Sequence, residues 1–147
     1  MSENVYQVLN TVLVELFNEI LNIEEKALIT EEFKDISVTD MHIIEAIGVG
    51  QPRTMSEIAH LLSVTMGTLT IGVNGLVKKG YAVRERSEKD RRVVYASLTN
   101  KGKAAYLHHM RFHKQMIASV VNGVSEEEAK ILTKSLNNLS NFFKQWE

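Results

Sequence analysis

Apolar residues in the first segment, Val5, Val8, Leu9, Val12, Leu13, Leu16, Phe17, Ile20 and Ile23, fall along one side of a helical wheel. That spacing predicts a helix from Glu3 to about Ala27, with a stripe wide enough for two neighbours. The polar stretch "TEEFKD" breaks it. Ser37 and Asp40 have capping-box spacing and predict a second helix to about Val49, stopped by "GVGQP" with the only proline. Thr54 with Glu57 opens a short helix, "MSEIAHLL"; Thr65 caps a longer one, "MGTLTIGVNGLVKK", closed by Gly80. The pattern then changes. "YAVRER" and "RVVYASL" are strand-like runs on either side of the polar "SEKDR", which predicts a hairpin. Thr99 starts a long helix that Gly123 ends, and Ser125 with Glu128 opens the last. There Ala129, Leu132, Leu136, Leu139, Phe143 and Trp146 form a narrow seam at alternating steps of three and four.

A short helix, a turn, a longer helix and a hairpin make a winged helix-turn-helix. The expected fold is therefore mainly α with a small β wing. The helices at both chain ends carry more apolar surface than a small domain can bury alone, so they are expected to form a helical dimerisation region. The expected organisation is a single domain over residues 1–147, with dimerisation helices at 1–30 and 104–147. The winged helix-turn-helix spans 37–100, with a recognition helix at about 65–79 and a wing at about 81–98.

The length of 147 residues suits one domain. No apolar run approaches the roughly 20 residues that cross a bilayer. "MSENVYQ" is no signal peptide and cysteine is absent, so the expected address is cytoplasmic, with no membrane partner. Charge changes the picture more. The net charge of −1 hides a segregation: residues 1–50 carry two basic against ten acidic side chains, and residues 78–103 carry nine basic against three acidic. Five of those cations lie between Arg84 and Arg92, where the hairpin would be. Such a block is an electrostatic footprint for a polyanion, and double-stranded DNA fits the architecture.

Leu69, Val73, Leu76 and Val77 share one face of the longer helix and are expected to pack inward, leaving Thr68, Thr70, Ile71, Asn74 and Lys78 outward. Thr65, Thr68 and Thr70 offer hydroxyls near a helix N-terminus, Ile71 a methyl surface, Asn74 an amide suited to adenine, and Lys78 a phosphate contact. Gly67, Gly72 and Gly75 cost helix propensity, and their expected use is close approach to DNA or to the preceding helix. Arg84 and Arg86 lie on the first wing strand, and Lys89, Asp90, Arg91 and Arg92 at the tip. An enzyme is not expected: there is no H-E-x-x-H, no cysteine nucleophile, and no Lys-Ser/Thr completing a phosphate loop after Gly67–Gly72. The alternative that stays open is a winged helix used only for protein contacts.

Asp90, Arg91 and Arg92 followed by Leu98, Thr99, Lys101 and Gly102, with "LVKKGY" upstream, resemble the MarR family of winged-helix transcription regulators over nearly the whole chain. "FKDIS", "MHIIEAIG", "VTMGTLT" and "RFHK" look like the FabT-type repressors of fatty-acid synthesis within it. The resemblance implies a homodimer joined by its terminal helices, a repressor on a pseudo-palindromic operator, recognition helices in successive major grooves and wings on the flanking minor grooves. It implies that Asp90 orients Arg92 for the minor groove while Arg91 and Lys89 meet phosphates. It also implies long-chain acyl groups on acyl carrier protein as corepressor. Many members carry Arg where this chain has Ile71 or Gly75, which speaks against Arg–guanine readout by the helix and for an A·T-rich site read partly by shape.

An acyl chain would lie among Leu13, Phe17, Ile20, Ile43, Ile47, Met110, His113 and Met116, although such stripes are more often plain core. Arg111 and Lys114 are the candidate basic partners for an acidic carrier. No metal or other cofactor is expected. The alternative is a zinc-responsive repressor using Glu24, His42, His109 and His113, since Glu and His are competent ligands and some MarR relatives sense zinc that way.

Overall fold

The helix starts follow the capping residues. In the computed structural model Ser37, Thr54 and Ser125 each accept from the backbone N–H three residues on, and the carboxylates of Asp40, Glu57 and Glu128 accept in return. Thr65 accepts from the N–H of Thr68. The structure describes residues 1–28, 30 and 32–146, the Leu28 side chain excepted. Ile29, Glu31 and Glu147, which fall in the predicted terminal segments and helix break, lie outside the described residues.

The chain falls into two units, Met1–His109 and Met110–Glu147. The first contains α1 (Glu3–Leu28), α2 (Val38–Ile47), β1 (Arg53–Thr54), α3 (Met55–Leu62), α4 (Met66–Lys78), β2 (Ala82–Arg86) and β3 (Val94–Leu98). The first turns of α5 (Asn100–Val121) complete it. The second holds the rest of α5 and α6 (Glu126–Lys144).

Helix α2 stops two residues short of the expected Val49, because Gly48 takes φ +73° and its N–H closes on the Ile44 carbonyl. The core of the first unit joins α2, α3 and α4, with Met41, Ile44, Ile47, Ile58, Leu69, Val73 and Leu76 at most 1% exposed. Burying one such side chain contributes roughly 1.5–3 kcal/mol. Val77 departs from expectation: it is 39% exposed. The buried positions 69, 73 and 76 already fill the inward arc, and at about 100° per residue position 77 lands on its edge.

The small sheet is antiparallel, in the order β1-β3-β2. Sequence patterning did not anticipate β1, whose two residues Arg53 and Thr54 pair with Ala96 and Tyr95. Two residues carry no detectable alternation. Arg53 Nη1 also donates to the Ala46 carbonyl at 2.7 Å, tying the last turn of α2 to the sheet.

Tyr81 locks the start of the wing to the start of α5. It is fully buried, its hydroxyl donates to Asp35 at 2.5 Å, and Lys101 Nζ stands 4.4 Å over its ring. Burial and the Asp35 partner push its phenol pKa up, and the same hydrogen bond holds the Asp35 carboxyl below its ordinary value. A Cβ on Gly102 would collide with the Tyr81 carbonyl, so only glycine lets α5 approach this closely.

In the second unit α6 has no buried residue. Leu132 and Leu139 of its seam are partly covered, Leu136 and Phe143 are half exposed, and Trp146 is 78% exposed. Among the described residues no single helix is long and apolar enough to cross a membrane.

Candidate nucleic-acid interface

Helix α4 and the wing share an open depression of about 250 Å³. Its walls include Met66 and Thr70 from α4, Arg84 and Val94 from the wing strands, Arg92 and Val93 from the wing loop, and Thr54, Met55 and Ser56 at the start of α3. Arg84 and Arg92 therefore face the same side as Thr70 of α4. Thr54 and Ser56 were not anticipated as site residues. They lie far from the charge block in sequence, and their signal was only the α3 N-terminal turn.

On α4, Thr68, Ile71, Asn74 and Lys78 are exposed as expected, Ile71 at 77%. The Thr65 hydroxyl donates to Thr68 Oγ1 at 3.0 Å, leaving Thr68 free to donate outward. Thr70 is half-buried and its hydroxyl donates back to the Met66 carbonyl at 2.7 Å, so its methyl and the oxygen's acceptor lone pairs are what it can offer. Of the glycines, Gly72 does serve close approach, but to α2 rather than the preceding helix: a Cβ there would meet Ile43. Gly67 and Gly75 show no such packing requirement.

At the wing tip Asp90 holds Arg92, the contact that the resemblance implied. Arg92 Nε and Nη2 donate to the two Asp90 oxygens at 3.1 Å each, and the Arg92 backbone N–H donates to Oδ1. These bonds keep the Asp90 carboxyl below its ordinary value and raise the Arg92 guanidinium further. Arg92 is nonetheless almost fully exposed. The loop is braced by Ser87, whose N–H donates to Val93 and whose hydroxyl accepts from Asp90. Lys89 and Arg91 project from it, exposed. Arg86 Nη1 donates to the Arg91 carbonyl at 3.0 Å, and Arg84 Nη1 donates to Asn74 Oδ1 at 2.5 Å.

The effector candidates separate. Ile43 and Ile47 belong to the core around α4, whereas Leu13 and Ile20 are half-buried and Phe17 is half exposed on α1. Met110, His113 and Met116 belong to the second unit, where Met110 is 39% exposed and the other two are half-buried. Of the zinc candidates, His109 is buried, with Nε2 3.5 Å from Glu24 and 3.8 Å from Glu45. His42 is exposed on α2, and His113 follows His109 by one turn of α5.

A winged helix with an Asp-braced arginine at its tip defines a class of DNA-binding regulators, and comparison with known proteins gives the family. The model of the MarR family matches residues 34–93. The *Bacillus subtilis* regulator YkoM, of the helix-turn-helix type, is 31% identical over 90 residues, covering 61% of this chain and 58% of that protein. The *Staphylococcus aureus* transcriptional regulator SarZ is 32% identical over 108 residues, covering 74% and 70%. The chain spans little more than half the length of the first curated relatives it matches. *Streptococcus pneumoniae* FabT, solved in complex with DNA, superposes with a TM-score of 0.86 at 44% identity, covering 97% of this chain and 99% of that one. The chain belongs to the MarR family. Its fold and its relatives are those of transcription regulators, not of enzymes.

Proposed function

We propose that this chain is a cytoplasmic repressor of the FabT kind. A homodimer binds a pseudo-palindromic operator and controls fatty-acid biosynthesis genes, with long-chain acyl groups on acyl carrier protein as corepressor. One observation carries the DNA part: Arg92, braced by Asp90, shares a depression with Thr70 and Arg84 beside the outward face of α4. With α4 in the major groove, the tip reaches the adjacent minor groove, whose negative potential draws an arginine. Dimerisation is supported by the incompletely covered apolar seam of α6, and two half-sites about 34–36 Å apart call for two copies. The link to fatty-acid synthesis rests on the likeness to FabT.

The test is a gel shift on the chain's own promoter at fixed salt, repeated with long-chain acyl carrier protein, free fatty acid and zinc. Tighter binding with the acylated carrier alone supports the corepressor. A response to zinc alone favours the zinc-responsive alternative, which the buried His109 beside Glu24 and Glu45 supports. Binding that is absent, or that lacks a steep salt slope, identifies a protein-interaction module instead.

A further inference from the structure

Asn74 stands on the third turn of α4, one turn beyond Thr70 and on the same outward side. Its carbonyl oxygen accepts from Arg84 Nη1 on β2 at 2.5 Å. Arg84 is fixed in turn by the sheet, where it pairs with Ala96 of the central strand β3. An amide side chain has two faces, an acceptor oxygen and a donor NH2, and a guanidinium has donors only. The contact therefore sets the flip of the amide: oxygen toward the wing, NH2 away from it. The opposite flip would set donors against donors.

That orientation changes what Asn74 can read. A freely rotating asparagine reads adenine with both faces, accepting from N6 and donating to N7. With one lone pair of its oxygen taken by a cation and its NH2 turned away from the wing, the face left toward a ligand is chiefly a donor. Major-groove acceptors are guanine O6 and N7, thymine O4 and adenine N7; cytosine presents a donor. Arg84 commits one donor, Nη1, to this bond, as Arg86 commits one to the Arg91 carbonyl.

We infer that Arg84 is a specificity-determining positioning residue, which holds Asn74 so that it donates to an acceptor edge, guanine above all. This inference rests on the DNA-binding reading above. It replaces the expectation that Arg84 meets DNA directly and that Asn74 selects adenine.

The experiment selects duplexes from a randomised library with the full chain and with Arg84→Ala, Asn74→Ala and the double variant, each first shown to melt like the original. Asn74→Ala identifies the base pair it reads, as the position where preference is lost. At that position the original chain should favour guanine, and Arg84→Ala should shift the guanine-to-adenine ratio by about tenfold toward adenine. The double variant should match Asn74→Ala in base preference. The inference is overturned if Arg84→Ala weakens all sequences equally while lowering the salt slope by about one, the mark of a phosphate contact. It is also overturned if Asn74→Ala leaves every preference intact. Failure of the original chain to select any sequence overturns the DNA-binding reading itself, and this inference with it.

Discussion

Helix α4 and the wing lie side by side yet are built from opposite materials. The outward face of α4 is nearly uncharged, with Thr68, Ile71 and Asn74 exposed and Lys78 as its outward cation. Lys79, next to it, is bound to Asp40 at 2.7 Å. The nine residues from Arg84 to Arg92 hold five cations, and the last three, Lys89, Arg91 and Arg92, stand exposed on the loop. Phosphate attraction is long-ranged and indifferent to sequence, whereas base reading needs short, oriented groups. On the function proposed above, the two regions divide these tasks. The charge block is itself divided, because Lys79, Arg84, Arg86 and Lys101 bond to protein acceptors while Lys89 and Arg91 extend from the tip.

Breaking the frame that holds the two regions together should have the largest effect. Gly102→Ala places a Cβ against the Tyr81 carbonyl, backbone that cannot swing aside. We expect a loss of about 2–3 kcal/mol in stability, measured by thermal or denaturant unfolding. Removing the wing's outermost contact comes next. Arg92→Ala should leave folding and dimerisation unchanged and weaken operator binding by roughly 1–3 kcal/mol in a gel shift at fixed salt; unchanged affinity would remove Arg92 from the site.

A smaller effect separates support from contact. Tyr81→Phe deletes the hydroxyl that Asp35 accepts and should cost about 1 kcal/mol of stability, with little change in base preference. The sign of its pH dependence follows from Asp35, whose folded-state pKa is lowered. Its contribution is present above the ordinary carboxylate value and lost as pH falls through the lowered one. Tyr81→Phe should therefore cost least at the acid end of an unfolding series. The smallest effect is expected between about pH 5 and about pH 8. The Asp90 carboxyl, held low by Arg92, stays ionised there, so its brace should not alter operator affinity. A carboxylate NMR titration that found Asp90 protonating within that window would contradict the pairing.

Much of this division could be read from the residues. Capping pairs such as Ser37–Asp40 and Thr54–Glu57 act within one turn, so they declare helix starts locally. The Asp90–Arg92 pair is local too. What escaped was long-range or too short to carry a pattern. The two residues of β1 show no period, and Val77 depends on how far α4 is rotated against α2. The bond between Arg84 and Asn74 exists only once the wing folds back beside α4.

The most direct test of the division is the salt dependence of operator affinity. Replacing Lys89, Arg91 and Arg92 with alanine should make the slope of log affinity against log salt shallower by about two to three, since each lost phosphate contact removes about 0.9. Replacing Thr68 and Ile71 with alanine should leave that slope unchanged and relax base preference. An unchanged slope in the wing variant, with the loss appearing in the helix variant instead, would contradict the account.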